Sequence, residues 1–417
     1  MIVHQLNLAN FRGFEQIELQ FEFDVNVIAG VNGVGKSSIL DVLAVLFSEA
    51  LPAFTLSTDR PRSFTDEDIY HSKQSLEAST IFTAADQRYH VGMQRVRGHE
   101  EGERGYGFGG VTLESGASPE TLQDRKQHPM VIYFSTKRHL PGRPRTLPRQ
   151  RAFETANAYR FALQDREVDA REFMHWFRVV EYGASRAHRQ HTHILDDLRK
   201  VVTAFVPEFT NLRIEEHPTL RFVVEKNSTP LALDQLSDGE RGLLAVLFDI
   251  TRRLAIANPG LDNPIAEGKA IILIDEIELH LHPTWQRQVL RRLRNTFKSC
   301  QFIVTTHSPQ VIGQVRPRCL HLLEYSEQEK RIVVHHTSQS FGMDSNWILQ
   351  NIMGSLARDY DTEQRLSAAY DKIDEEDLGK ARELLIALEA DVGLFPDLQE
   401  AKSFVDRLEL LKSDATD

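Results

Sequence analysis

The sequence predicts an α/β fold built on a largely parallel sheet. Three observations lead there. Apolar, β-branched runs at residues 25–28, 130–134, 270–274 and 302–305 are continuous rather than alternating, the pattern of strands covered on both faces. Stretches with helical spacing separate them, at 39–47, from about 149 to 206, and at 238–257. A glycine-rich turn joins the first of these strands to the first of these helices.

The remaining elements follow in chain order. Runs at 2–8 and 17–21 read as opening strands, and 78–83 and 88–96 add two more. The glycine-rich, charged stretch 98–110 reads as an exposed loop. Between 149 and 206 the period of two disappears. Phe173, Trp176, Phe177 and Val180 then fall on one helical face until Pro207 ends the pattern. Short strands resume at 212–214 and 220–224. From about Phe341 onward the reading is helical, with Leu378, Ala381, Leu384, Leu385 and Leu388 on one face and Leu398, Ala401, Phe404, Val405 and Leu408 on another. Gly393 and Pro396 in the break between them predict a helical hairpin. Four stretches result: 1–138 with the glycine-rich turn, a helical insertion at 139–210, a second α/β lobe at 211–338, and a C-terminal helical subdomain at 339–417.

Composition excludes several classes of function. With 417 residues, 41% hydrophobic and 26% charged, the chain matches folded water-soluble proteins of two or three units. No apolar run exceeds that of residues 243–248, far short of the roughly 20 needed to span a bilayer. Residues 1–8 have no secretory pattern, so a cytoplasmic location is expected. The two cysteines, Cys300 and Cys319, lack the spacing of a disulfide framework or a zinc site and read as core thiols. Net charge is −11, but residues 359–417 hold 17 acidic and 7 basic residues, a balance of −10, so the rest is nearly neutral. The acidic total therefore does not argue against a contact with DNA phosphates.

The strongest motif is Gly30-Val31-Asn32-Gly33-Val34-Gly35-Lys36-Ser37, a P-loop pattern between strand and helix. Its glycines let backbone N–H groups curl around phosphates, Lys36 supplies a point charge, and Ser37, followed by Ser38 in the helix, offers a hydroxyl to Mg²⁺. The strand at 270–274 ends in Asp275 and Glu276, which places one carboxylate by the metal and leaves the other to polarise an attacking water. Ser237 and Glu240 head a long helix in a capping-box spacing around Gly239. A capped helix end also suits a phosphate on a neighbouring molecule. The strand at 302–305 runs into Thr306, His307 and Ser308, which puts an imidazole at the carboxyl edge of the same sheet.

In that order these motifs resemble those of the ATP-binding-cassette ATPases, in the soluble branch with RecF and the SMC heads. The resemblance implies an ABC-ATPase head with a mostly parallel sheet and an antiparallel β subdomain, ATP and Mg²⁺ as ligands, and the opening Asn10-Phe11-Arg12-Gly13-Phe14 near the nucleotide through Arg12. It further implies that Ser237, Gly239 and Glu240 contact ATP held by another protomer's Lys36, that Glu276 is the catalytic base, and that His307 is the switch histidine. The runs around Asp275 to Gln286, Tyr133 to Arg138 and Gly342 to Trp347 are similar to those of the PtuA-like ATPases of the Septu anti-phage system. That narrower resemblance implies a homo-oligomer with ATP at subunit junctions and an HNH-type nuclease partner. Two departures stand out. No glutamine follows the strand at 130–134, leaving Ser135 or Arg138 as substitutes, and Asp238 replaces the usual signature glycine.

Weaker patterns remain. His280 and His282, with Glu278, fall in a segment that the resemblance places along the subunit interface. Six cations from Lys137 to Arg151 form a basic loop suited to phosphates or an acidic partner. Two alternative functions fit the same motifs: a RecF-like ATP-dependent DNA-binding repair protein, and a nucleotide-locked scaffold with little turnover.

Overall fold

The computed structural model describes residues 1–99, 110–113, 128–138, 154–168, 170–184, 189–217, 220–356 and 358–414. The basic run from Arg143 to Arg151 therefore lies outside the described residues, and so does most of the stretch 98–110. The chain divides into two compact units, Met1–Asp344 and Ser345–Asp417.

Strands in the first unit are β1 (Ile2–Phe11), β2 (Phe14–Gln20), β3 (Val25–Gly30), β4 (Ser75–Ala84), β5 (Gln87–Val96), β6 (Gly110–Leu113), β7 (Met130–Phe134), β8 (Phe209–Glu215), β9 (Arg221–Lys226), β10 (Thr229–Ala232), β11 (Ala270–Ile274), β12 (Gln301–Thr306), β13 (Leu320–Ser326) and β14 (Arg331–His335). The central sheet has the order β14-β13-β3-β12-β11-β7 and is parallel except for β14. Every residue of β7, β11 and β12 is buried, as their unbroken apolar runs require. Register brings Phe134 beside Ile274, Ile274 beside Val304, and Thr306 beside Ala29. The carboxyl ends of four strands thus meet at one edge, and the P-loop leaves from it.

An antiparallel sheet, β2-β1-β4-β5-β6, forms the second layer. The helix Lys36–Phe54 lies between the two, touching β4, β5 and β6 on one side and β3, β7, β11 and β12 on the other. Its Ile39, Leu40, Val42, Leu43, Ala44, Leu46 and Phe47 are fully buried, so it is apolar around most of its circumference. A third sheet, β10-β9-β8, is covered by aromatic packing: Phe173 stacks on Phe248 at 4.2 Å, and Phe222 meets Phe177 edge-on.

Four strands escape the sequence reading. Gly110–Leu113 pairs with β5 where a loop is expected at its first residue, β10 pairs with β9 in a segment given no element, and β13 and β14 fall in a stretch assigned no structure. The sequence of β13 mixes His321, Glu324 and Tyr325 into its apolar residues, and its partner β3 lies about 300 residues away. Local pattern therefore carries little of its signal.

Buried ions fix the helical insertion to the helix Asp238–Ala257. Arg253 donates to Asp249 Oδ2 at 2.7 Å and to the carbonyls of Ala158 and Arg160, while Arg252 donates to the other Asp249 oxygen at 2.9 Å. Burial pushes the Asp249 carboxyl pKa up, but the two guanidinium groups outweigh it and hold it below the ordinary range. Asp249→Ala leaves the buried Arg253 without its counter-ion and Arg252 with only Glu172, at 3.3 Å, and is expected to cost about 3–5 kcal/mol, read as a fall in denaturant midpoint at unchanged slope.

His321 provides a pH-dependent contribution. Its ring is buried between Phe21 and His336, and neither ring nitrogen has a hydrogen-bond partner. Burial, aided by His336, lowers its pKa from 6.5 to about 4. The unfolded chain therefore takes up the proton first. This contribution is complete above about pH 6.5 and is lost as pH falls toward 4, amounting to roughly 3 kcal/mol. His321→Leu is expected to flatten the acid limb of a melting-temperature profile across that window.

In the second unit, Tyr360–Asp374, Leu378–Val392 and Pro396–Asp414 form a three-helix cluster. Its core takes Leu378, Ala381, Leu385 and Leu388 from the expected first face and Leu398, Ala401 and Val405 from the second. Phe404 departs from expectation. It stands 45% exposed, because Val405 occupies the inward position one residue on.

Candidate active site

The P-loop is shaped by one buried side chain and two left-handed glycines, Gly33 and Gly35. Val34 is buried and anchors the turn, while Asn32 and Gly33 stand exposed on its outside. Gly35 caps the helix with φ 93°, and a Cβ there would lie 2.6 Å from the Phe14 ring, so both backbone and space exclude a side chain. Lys36 is buried, and its ammonium donates to the carbonyls of Gly30 and Val31 at 2.9 Å each. Desolvation lowers its pKa, opposed by the charges of Glu276, Glu278 and Asp275.

Across the sheet edge, Ser37 Oγ donates to Asp275 Oδ1 at 2.9 Å. Thr305 Oγ1 donates to the same oxygen at 2.6 Å and accepts the backbone N–H of Glu276 at 2.7 Å. A single chain of bonds thus ties the P-loop helix to the ends of β11 and β12. Ser37 and Asp275 offer only hard oxygen donors from two directions, a set suited to Mg²⁺. Glu276 has φ 45°, a left-handed conformation that costs a residue bearing a side chain about 1–3 kcal/mol and persists where the surroundings impose it.

His307 lies at the next strand end. Its N–H donates to Glu278 Oε1 at 2.7 Å, and its Nδ1 is 3.3 Å from the same oxygen. The Glu278 carboxylate is buried, with Oε2 unpartnered, whereas the imidazole is 42% exposed. Arg12 reaches Ser38 Oγ at 3.1 Å while held by Asp41 and Asp68, which places the expected arginine against the P-loop helix. His282 caps the short helix Pro283–Gln286. Among the described residues no group of three or more His, Cys, Asp or Glu side chains is placed to hold a metal ion, so His280, His282 and Glu278 form no such cluster.

The signature residues form a separate place. Ser237 caps the helix Asp238–Ala257 in a reciprocal capping box with Glu240. The Glu240 carboxylate, expected at a nucleotide, is buried and bonded to Ser237 and to Lys226 at 2.6 Å. Gly239 is buried because a Cβ there would come within 2.1 Å of the His280 carbonyl oxygen. Ser237 and Asp238 are exposed. Among the described residues no hydrogen bond or ion pair joins Ser237, Gly239 or Glu240 to the P-loop.

Three residues of this site were absent from the expected set: Thr305, Glu278 and Asp41. Thr305 is legible only as the second-last residue of a strand, and its hydroxyl gains meaning once β12 lies beside β11.

A P-loop helix between two sheets, an Asp-Glu pair at the neighbouring strand end, a histidine on the next and a capped signature helix make the chain similar to the ABC-type, PtuA-like ATPases. The chain belongs to the family described as "AAA domain, putative AbiEii toxin, Type IV TA system", whose model matches residues 25–313. It is 42% identical over 158 residues to "Retron Ec83 probable ATPase" of Escherichia coli, a match covering 38% of this chain and 28% of that protein. It is 25% identical over 377 residues to "Septu protein PtuA" of Bacillus mycoides (strain KBAB4), covering 89% of this chain and 46% of the relative. The chain thus spans less than half the length of these two relatives. A solved SMC head domain from Thermotoga maritima is similar at 16% identity and a TM-score of 0.44, covering 81% of this chain and 100% of that one. Among the described residues no helix is long and apolar enough to cross a membrane.

Proposed function

We propose that the chain binds ATP with Mg²⁺, hydrolyses it at junctions between copies of itself, and uses the nucleotide state to control a partner nuclease of the HNH type in bacterial antiviral defence. The observation that carries the enzymatic part is the bonded series Ser37, Asp275, Thr305, Glu276, which links a phosphate-binding turn to a carboxylate free to act on water. Ser37 and Asp275 would hold Mg²⁺, which would supply charge neutralisation at the phosphates. Lys36 exchanges two loop carbonyls for phosphate oxygens. Glu276 accepts the proton of the attacking water, and His307, steadied through its backbone by Glu278, donates toward the terminal phosphate. Retron and Septu names among the relatives support the setting in defence.

The oligomeric part is supported by the exposed Ser237 tip, which among the described residues makes no hydrogen bond or ion pair with its own chain's P-loop. A shared site makes activity depend on association. Turnover per chain is expected to rise with protein concentration until it saturates, measured as Mg²⁺-dependent phosphate release. A specific activity independent of dilution down to the monomer overturns the shared site.

A further inference from the structure

Arg138 occupies an unusual position for a cation. It follows β7, is 7% exposed, and lines a small cavity with Leu243 and Val246 of the signature helix, Ile277 and Leu281 of the turn after β11, and Val289. Burial lowers its pKa to about 10, while Asp275, Glu278 and Glu276 act to keep it charged, so it is a cation at neutral pH. Among the described residues no carboxylate bonds to it directly. Its guanidinium instead donates to three backbone carbonyls: Nη1 to Ser135 at 3.3 Å and to Asp275, Nη2 to Glu276.

Two of those acceptors belong to the peptide groups immediately before and after the Glu276 Cα. The planar fork therefore binds both peptide planes whose relative rotation sets φ and ψ of Glu276. That residue is the one held at φ 45°. Thr305 pins the same turn from the other side through the Glu276 N–H. On its outer side, the Arg138 backbone touches the signature helix, since a Cβ at Gly242 would sit 3.6 Å from the Arg138 carbonyl oxygen.

We propose that Arg138 is the positioning residue for Glu276, clamping the two flanking peptides so that the carboxylate is aimed at the water it polarises. The inference rests on the reading of Glu276 as the group that acts on water. It also gives a physical role to the place where a glutamine is missing after β7: the strand end holds the catalytic turn through its backbone.

The test compares Arg138→Gln, Arg138→Lys and Glu276→Gln in the full chain, with nucleotide affinity and steady-state turnover measured separately and folding followed by thermal melting. Loss of aim is expected to lower kcat about 10- to 100-fold in Arg138→Gln, with ATP affinity changed by less than about threefold. Arg138→Lys retains the charge without the fork and should recover only part of the rate. Should Arg138→Gln keep full kcat while Glu276→Gln loses it, the positioning role is overturned. Parallel loss of affinity, rate and thermal stability in both Arg138 variants also overturns it, as a purely structural role. A Glu276→Gln variant that turns over normally removes the underlying reading instead.

Discussion

Glu276→Gln is expected to lower ATP turnover about 100- to 10,000-fold, the range for removing a positioned general base. The amide matches the carboxylate in shape, and every bond that shapes the turn here goes to the backbone: Thr305 to the N–H and Arg138 to the carbonyls. The turn should therefore survive, and with it Lys36, Ser37 and Asp275. ATP affinity should stay within a few-fold of the wild type. The ATP-bound state should accumulate, visible as bound nucleotide that persists through gel filtration, in a larger species than the apoprotein. Unchanged turnover contradicts the assignment of Glu276 and favours a scaffold that merely holds nucleotide.

Mixing two inactive variants should restore activity. Lys36→Ala removes the phosphate cation, and Ser237→Arg blocks the exposed tip of the signature helix. Each variant alone should be close to inactive. In a random mixture half of all pairs are heterologous, and each of those has one intact junction, so recovery of about a quarter of the wild-type rate follows for a two-fold pair. No recovery on mixing, with both variants folded and associating, shows that each chain carries a complete site. The capping box makes Ser237 a demanding position, since its hydroxyl also accepts the Glu240 N–H. Losing that cap alone costs about 1 kcal/mol, which a control of Ser237→Ala measures by thermal melting.

Much of the site is readable from local residue order because a phosphate turn is a local object. The eight residues from Gly30 to Ser37, at the junction of a strand and a helix, contain the glycines, the lysine and the hydroxyl, and the local backbone geometry makes the nest. The capping box at Ser237 is equally local, spanning the four residues Ser237 to Glu240. Strand ends at Asp275 and His307 were visible because strands buried on both faces are continuous apolar runs that stop abruptly. By contrast, the pairing of Ser37 with Asp275 spans 238 residues and that of Arg138 with the Asp275 carbonyl 137. Nothing in either neighbourhood announces those partners.

The chemistry of the groups was settled by the order of amino acids: which turn can cradle phosphate, which strand ends carry carboxylates, and which helix begins with a cap. Folding settled their use. It turned Glu240 inward to Lys226 and left Ser237 outside, buried Gly239 against the His280 carbonyl, and made Arg138 a clamp on the Glu276 turn. The physical reason is that strand register and the close approach of backbones depend on contacts between distant segments. Residue type and spacing describe only what each segment brings to that encounter.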